Sequence, residues 1–360
     1  MNNPIGNKLG RIAALVAVVV IVQAITYITK KPFYLTQLTM TAYYLIVIIG
    51  LCMLMGYTGQ ISIGHAGFFA MGGYSTAFLT THNFIAMKGK GLIGLLEGAG
   101  MMMTRTGLYG NEILHVHPWA ACVFAIALTS LVAYVIGGPV LKLKGHYLAM
   151  ATLGFGTIIY TIALGTEGLG AADGINSVPP FVILPGLEVS GSMSTRVSNY
   201  YIAWGLVVIS MLALLNLLDS RVGRALRAIH GAEDAAGASG VDTASYKLKI
   251  FVLSAAMAAL GGVMLTHYTA GIGPGEAGVM KSVRYVAIVA VGGMANLWGT
   301  LVMGATLNFL SLRGYFGTYD DAIFGLVLVV IMLFAPNGLL RQDMLDSIKG
   351  LIGLKRQGEK

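Results

Sequence analysis

Long apolar runs recur along this 360-residue chain, and they restrict its fold more than any other feature. A helix needs about 20 consecutive apolar residues to cross the hydrocarbon core of a bilayer. Hydrophobic residues make up 56 % of the chain and charged residues 11 %, whereas a soluble domain carries about 25 % charged residues. Polar side chains are too few to cover so much apolar surface, so we expect the chain to face lipid.

The runs predict an all-α, polytopic membrane protein with about 8–10 transmembrane helices, organised as a single domain over 1–360. One run, 285–312, is interrupted near Asn296. The interruption predicts two short helices that meet at a turn, either as two thin spans or as a re-entrant pair. The eight runs that predict full spans are 12–29, 35–57, 59–79, 118–138, 147–165, 200–218, 250–270 and 322–335.

The distribution of positive charge predicts the orientation, because Lys and Arg concentrate on cytoplasmic loops. With the N-terminus inside, 14 of the 23 Lys and Arg residues fall in inner segments. The connections 82–117 and 166–199 are then outer, periplasmic loops. The segment 219–249 and the tail 336–360 are cytoplasmic, and both termini lie inside. The same rule accounts for the net charge of +8, so we predict contact with membrane lipid and no nucleic-acid partner.

Several chemical motifs are absent from the sequence. No Asp, Glu, Lys or Arg lies in the middle of any predicted span, whereas proton-driven proteins place such residues at membrane depth. Sodium-coupled carriers can use carbonyls and hydroxyls instead. The chain has no P-loop and no zinc-protease or serine-hydrolase motif. His115 and His117 have the spacing of a partial metal site without an evident third ligand. We therefore predict no catalytic residue, no metal and no cofactor on this chain.

The segment 56–69 is dense in glycine and also carries polar residues. If it is helical, Thr58, Ser62 and His65 form one polar stripe, which in lipid must face protein or water. Two interpretations remain open: a broken helix that lines a transport pathway, or tight helix packing in which His65 bonds to a neighbouring backbone. The pathway candidates are Thr58, Gln60, Ser62, His65 and Asn296.

Small residues dominate 233–242, within the predicted cytoplasmic segment. Acidic residues at its start suit a helix N-terminus, and Gly240 suits a helix end. A short helix with side chains this small can dock in a groove of another protein. The alternative interpretation is an ordinary surface loop. Three arginines precede it and predict anchoring to anionic headgroups: Arg221, Arg224 and Arg227.

Four stretches, in this order, resemble the permease subunits of the branched-chain amino acid family of ABC importers, in their M type. They are GYTGQISIGHAGFF at 56–69, LKLKGHYLAMATLGFG at 141–156, EDAAGASGVD at 233–242 and MLFAPNGLL at 332–340. The resemblance implies an all-α permease of the bacterial inner membrane that translocates branched-chain amino acids by alternating access. The outer loop 82–117 is long for the family.

The resemblance also implies partners: a homologous second permease, two cytosolic ATPase subunits that bind ATP and Mg²⁺, and a periplasmic substrate-binding protein. Glu233, Ala235, Ala236 and Gly240 match the family's motif whose helix docks on the ATPase. Related permeases carry urea, short amides or aromatic acids, so these substrates remain alternatives. A stand-alone facilitator or channel is another, although a Glu-x-Ala-Ala-x3-Gly loop has no use there.

Overall fold

The computed structural model contains twelve α-helices and six short strands within the residues that it describes. These residues are 4–89, 94, 97–98, 100–106, 112–143, 145–315 and 317–334. The predicted tail 336–360 lies outside them. The helices are α1 Pro4–Ile28, α2 Phe33–Thr58, α3 His65–Thr81, α4 Pro118–Val140, α5 His146–Gly165, α6 Arg196–Asp219, α7 Arg221–Gly231, α8 Glu233–Ala238, α9 Thr243–Thr269, α10 Val279–Gly292, α11 Leu297–Leu312 and α12 Asp320–Phe334. The strands are β1 Met102–Thr106, β2 Glu112–Val116, β3 Ile175–Asn176, β4 Phe181–Leu184, β5 Leu187–Val189 and β6 Gly271–Ile272.

Among the described helices, six are long and apolar enough to cross a membrane by length and composition: α1, α2, α4, α5, α6 and α9. Their apolar stretches run from 20 to 27 residues, or about 30–40 Å at a rise of about 1.5 Å per residue. The prediction of an all-α polytopic membrane protein is confirmed. The helices extend beyond several predicted runs, because polar residues at their ends keep the intrahelical hydrogen bonds of the last turns.

Helix α2 forms the centre of the bundle. In its most apolar 18-residue window, 89 % of the residues are buried inside the protein, compared with 17 % in α1. Helices α3 and α9 pack closely against each other beside it. A Cβ on Gly72 would lie 2.5 Å from Cα of Ala259, and a Cβ on Gly262 would overlap the carbonyl of Phe69. Small residues therefore let the backbones of α3 and α9 approach more closely than larger side chains would allow.

Within the described residues, helices α1–α6 and α9–α12 run alternately between two ends of the molecule. At one end, the start of α1 meets the end of α6 through an ion pair between Lys8 and Asp219. The end of α2 meets the turn between α10 and α11 there, where the Tyr57 hydroxyl donates to the Ala295 carbonyl over 2.6 Å. We call this the α8 end, because α7 and α8 lie on it.

The opposite end carries the strands, and we call it the hairpin end. Part of the loop predicted at 82–117 is an antiparallel hairpin, in which Met102 pairs with Val116. The loop at 166–199 holds β3, β4 and β5, and β3 pairs with β6. Trp119 Nε1 donates to the Val182 carbonyl over 3.1 Å, which ties the start of α4 to β4. Both loops are therefore partly ordered by strand pairing.

Charged residues in the first turns of α10 are paired within the bundle. Arg284 bridges Asp320 at 2.7 Å and Asp321 at 2.9 Å, which ties α10 to the start of α12. Lys281 lies 2.7 Å from Glu276, in the turn before α10. Because each cation has a carboxylate partner, the first turns of a largely apolar helix can carry charge.

Helices α10 and α11 confirm the two short helices predicted within 285–312. They have 14 and 16 residues, or about 21 and 24 Å of length, against a hydrocarbon thickness of about 30 Å. The turn that joins them, 293–296, lies at the α8 end, and α11 then returns to the hairpin end. There, Gln37 Nε2 at the start of α2 donates to the carbonyl of Leu312 over 2.9 Å.

Candidate functional site

Helix α7 lies along the α8 end with one face packed on the bundle. Gly223, Leu226 and Ile229 are buried on that face. A Cβ on Gly223 would overlap the backbone of Leu218, so α7 lies directly against the end of α6. Three arginines are exposed on the other side: Arg221, Arg224 and Arg227. This arrangement leaves the basic side chains free for an external partner such as anionic headgroups.

Helix α8 is the six-residue element formed by the small-residue segment. Of its alanines, Ala236 is 5 % exposed and packs inward, whereas Ala235 and Ala238 are exposed. The helix ends in a Schellman motif: the Gly240 N–H donates to the Gly237 carbonyl over 3.0 Å, and the next N–H donates to the Ala236 carbonyl over 3.1 Å. Gly240 has a φ of +84°, so the prediction that Gly240 ends this helix is confirmed.

An ion pair fixes the start of α8 to the next helix. Glu233 lies 2.5 Å from Lys247 of α9, and the Lys247 side chain is only 13 % exposed. Asp242 caps α9 by accepting from the N–H of Ser245 over 3.1 Å. Movement of α8 is therefore linked mechanically to α9, which packs in the middle of the bundle against α2 and α3.

The helix predicted over 59–79 is wrong at its start. Helix α2 ends at Thr58, Gly59 turns the chain with a φ of +68°, and α3 begins only at His65. The residues 59–64 form an irregular segment that we call the first interruption. Thr58, Ser62 and His65 therefore do not share one helical face. Thr58 is buried and donates to the Leu54 carbonyl of its own helix over 2.6 Å.

His65 lies at the centre of a buried hydrogen-bonded chain. Its Nδ1 lies 3.0 Å from the Ser62 hydroxyl, and its Nε2 lies 2.7 Å from the Ser254 hydroxyl of α9. The His65 side chain is fully buried. The interpretation of tight helix packing expects His65 to bond to a neighbouring backbone. The structure shows such a bond to a neighbouring helix, but the partner is the Ser254 hydroxyl of α9.

Two further hydroxyls hold the backbone around the first interruption. The Ile63 N–H donates to the Thr152 hydroxyl of α5 over 3.0 Å. The Ala66 N–H donates to the Ser282 hydroxyl of α10 over 3.1 Å. These bonds satisfy backbone donors that no regular helix satisfies here.

Gln60 differs from the other pathway candidates. The residue is 3 % exposed, and neither atom of its side-chain amide has a hydrogen-bond partner among the described residues. It lines a cavity of about 290 Å³ between the end of α2, the start of α5 and the α7–α8 connection. Gln60 is thus a buried residue at the edge of this cavity, and its amide atoms are themselves enclosed by protein.

The turn 293–296 between α10 and α11, which we call the second interruption, holds the candidate Asn296. Its side-chain oxygen accepts from the Gly299 N–H over 3.1 Å and caps α11. The turn lies against α2, since a Cβ on Gly56 would overlap the backbone of Ala295. The two interruptions therefore lie beside each other at the α8 end, although more than two hundred residues separate them in the sequence.

His115 and His117 lie at the hairpin end, away from both interruptions. His117 caps α4, with its Nδ1 accepting from the Trp119 N–H over 3.2 Å. In the part of the chain that the structure describes, no three His, Cys, Asp or Glu side chains converge on a metal position.

The sequence interpretation missed the three hydroxyl residues that hold the first interruption from a distance: Thr152, Ser254 and Ser282. It also missed Lys247, which fixes α8 through Glu233. Ser282 lies beside Lys281 and Arg284, whereas Thr152 and Ser254 are isolated polar residues in apolar runs. That pattern signals a hydrogen bond within the bundle but does not identify the partner.

Comparisons with known proteins identify relatives across most of the chain. The family model of the branched-chain amino acid transport system permease component matches residues 33–335. The high-affinity branched-chain amino acid transport system permease protein LivM of Salmonella typhimurium is 30 % identical, covering 84 % of this chain and 68 % of that protein. The corresponding LivH of Escherichia coli is 25 % identical over 86 % of this chain and 95 % of its own length. The corresponding BraD of Pseudomonas aeruginosa is 26 % identical over 88 % and 98 %. No solved structure gives a significant match.

Proposed function

The chain belongs to the family of branched-chain amino acid transport permease components, and from this premise we propose that it translocates branched-chain amino acids by alternating access in an ATP-driven importer. It is a multi-pass membrane permease subunit of an ABC transport system. LivM and LivH are both named as permease proteins of a high-affinity branched-chain amino acid transport system. Two such permeases of one kind of system support a homologous second permease as partner. Two cytosolic ATPase subunits, which bind ATP and Mg²⁺, and a periplasmic binding protein complete the proposed assembly.

The observation that carries the proposal is the exposed small-residue surface of α8. Glu233, Ala235, Ala236 and Gly240 are the proposed coupling residues. Glu233 joins α8 to α9 through Lys247, and Gly240 ends the helix. Ala235 offers a surface without side-chain bulk. A partner ATPase that moves α8 would move α9 as well, so this chain needs no catalytic residue of its own.

The proposed orientation of the chain in the membrane follows from the same surface of α8. If α8 meets a cytosolic ATPase, the α8 end faces the cytoplasm of a bacterial inner membrane, and the N-terminus lies on that side. The hairpin end then faces the periplasmic binding protein. Helix α12 begins at the hairpin end and runs towards the α8 end, which supports a cytoplasmic C-terminus.

The two interruptions are the proposed inner gate of the pathway. Irregular backbone at membrane depth is tolerated where it is buried in protein or lines a cavity. The proposed gate is formed by the five pathway candidates and is closed in this conformation, because His65 is fully buried. The candidates are Thr58, Gln60, Ser62, His65 and Asn296.

The test is ATP-driven uptake of leucine by the assembled complex in proteoliposomes, comparing wild type with Ala238→Arg. Ala238 is the last residue of α8 and is exposed. An Arg there suits the helix C-terminus and leaves the packing of this chain intact, but it blocks a close-fitting groove. Ala236→Arg is unsuitable, because Ala236 is buried and the variant would test folding.

We expect Ala238→Arg to lower leucine uptake at least about tenfold, since a buried unpaired charge costs several kcal/mol. Ala238→Ser, the matched control, should keep near-normal uptake. Co-purification with a P-loop ATPase should accompany wild-type uptake. Unchanged ATP-driven uptake by Ala238→Arg would refute the docking role, and uptake without ATP or ATPase would favour a facilitator.

A further inference from the structure

A groove at the edge of the bundle has no role in the proposed transport cycle. It has a volume of about 450 Å³ and lies between α1, α2, α6 and α11. We call it the α1 groove. Val18 of α1 and Val302 of α11 both line it, and they are 55 % and 51 % exposed. The groove therefore opens sideways from the bundle, on the side of the least buried of the six long helices.

The length of the α1 groove matches one leaflet of a bilayer. Along α1, its lining runs from Arg11 to Val22, or about 16 Å at a rise of about 1.5 Å per residue. One leaflet contributes half of a hydrocarbon thickness of about 30 Å. Arg11 directly precedes the apolar run 12–29, and Lys8, three residues earlier, pairs with Asp219 at the α8 end. The groove therefore begins at headgroup depth at the α8 end and extends towards the middle of the bilayer.

The mouth of the α1 groove carries positive charge without a protein counter-charge. Arg11 is the one charged residue among the described residues that line the groove. It is exposed, and no carboxylate in the described part of the chain pairs with it. The carboxylate of Asp219 already pairs with Lys8. A guanidinium in this position can form charge-assisted hydrogen bonds with a phosphate group.

The same end of the groove carries an aromatic ring. Trp298 is the second residue of α11, which begins at the α8 end, and it lines the groove. Indole rings favour the boundary between headgroups and acyl chains. The groove thus combines a cation and an indole at one end with apolar walls along its length, which is the chemistry that recognises an anionic lipid.

We propose that the α1 groove binds an anionic phospholipid of the leaflet at the α8 end, with the phosphate at Arg11 and one acyl chain against α1, α6 and α11. The unpaired cation selects an anionic headgroup over a zwitterionic one, and the apolar walls hold the chain. Because the lipid fills the space between α1 and the bundle, it attaches α1 to α6 and α11. The site goes beyond the proposed importer and does not rest on its substrate or its ATPase.

Quenching of tryptophan fluorescence by phospholipids with brominated acyl chains tests the proposal, because bromine quenches indole rings at short range. The chain has three tryptophans, of which Trp204 and Trp298 line the groove. Trp119→Phe removes the third, at the hairpin end, and gives the parent chain. This full chain is placed singly in phosphatidylcholine nanodiscs with a small, varied fraction of brominated phosphatidylglycerol or brominated phosphatidylcholine. We expect half-maximal quenching at an about fivefold lower fraction of the phosphatidylglycerol, since one basic residue near anionic lipid contributes about 1 kcal/mol.

Variants at the α8 end separate a site at Arg11 from a general attraction by basic residues. Arg11→Gln should remove the fivefold difference between the two lipids, and Arg11→Lys should keep most of it. Arg224→Gln is the matched control, because Arg224 is also exposed at the α8 end but does not line the groove. It should behave like the parent chain.

A second variant tests the acyl-chain part of the site without a change of charge. Ala305 of α11 lines the groove, so Ala305→Leu occupies part of it and should lower the quenching by both lipids. Unchanged quenching in this variant would place the acyl chain outside the groove. Equal quenching by both lipids in the parent chain, or an equal loss in Arg11→Gln and Arg224→Gln, would indicate an ordinary lipid shell and overturn the proposal. Absence of quenching by either lipid would show that protein covers the groove, which also overturns it.

Discussion

The two interruptions lie beside each other, yet the protein holds them by different means. The first, 59–64, is held by hydroxyls from three other helices, namely Thr152, Ser254 and Ser282. The second, 293–296, is held by its own cap at Asn296 and by α2. The Tyr57 hydroxyl of α2 donates to the Ala295 carbonyl, and Gly56 makes direct backbone contact with the turn. The first region is therefore held mainly by side-chain hydroxyls of three helices, and the second by its own cap and by contacts with α2. Close backbone contact occurs at both, since a Cβ on Gly64 would lie 2.5 Å from the Thr152 carbonyl oxygen.

This difference bears on which region can move. A hydroxyl can exchange one acceptor for another, so a segment held by hydroxyls can shift and form new bonds at little net cost. Where two backbones lie too close to admit one more carbon atom, they fit together in only one arrangement. The hydroxyl bonds of the first interruption are therefore its exchangeable contacts, whereas the close backbone contacts at Gly56 and Gly64 restrict the positions of both interruptions.

The largest expected effect comes from adding one carbon atom at Gly56, where α2 contacts the second interruption. Gly56→Ala should lower the free energy of unfolding by about 3 kcal/mol, because its Cβ overlaps the backbone of Ala295, which cannot rotate away. Unfolding in detergent micelles measures the change. In the control Gly154→Ala, the helical Cβ has no other described part of the chain within 4 Å. That variant should be neutral or more stable by about 0.5–1 kcal/mol. Equal stability of the two variants would refute the exclusion of volume at Gly56.

The next effect tests the hydrogen-bonded side of the comparison. His65→Leu should destabilise the protein by about 2 kcal/mol, because it leaves the Ser62 and Ser254 hydroxyls buried without their shared partner. Adding Ser62→Ala and Ser254→Ala to that variant should recover part of the loss, since no polar group then remains unsatisfied. A triple variant less stable than His65→Leu would show that the hydroxyls serve another partner.

The smallest effect concerns the cap of the second interruption. Asn296→Ala should cost about 1 kcal/mol of unfolding free energy, the usual loss for an N-cap residue. Asn296→Asp keeps an oxygen acceptor for the Gly299 N–H and should stay near wild type. If the Asp and Ala variants lose the same stability, the cap is not what holds this turn.

Much of the helical framework follows from the sequence, because lipid leaves the backbone few choices. Apolar runs near Leu45 or Val207 must be helical to satisfy their own N–H and C=O groups. The break within 285–312 and the helix end at Gly240 were also predictable, since Asn and Gly act on the local backbone. These features depend on a few neighbouring residues.

The contacts that build the candidate site join residues that lie far apart in the sequence. Ser254 lies 189 positions from His65, and a single sequence carries no signal that joins them. The continuous helix predicted over 59–79 failed because the polar stripe assumed helical spacing, whereas Gly59 turns the chain before His65. The hairpin at 102–116 was missed because its strands have five residues each and lie in a polar loop.

The shortness of α10 and α11 has a consequence for the electrical and aqueous profile of the membrane. Their lengths of about 21 and 24 Å fall below the hydrocarbon thickness of about 30 Å. Helix α10 is largely buried and α11 is partly exposed, so lipid next to α11 must thin, or polar surroundings must reach inward. Either adjustment costs only fractions of a kcal/mol per Å. Either adjustment would leave a thinner insulating layer between the water on the two sides at this pair than beside the six long helices. A dipolar solute that passes beside the pair has a shorter distance over which it must do without hydration.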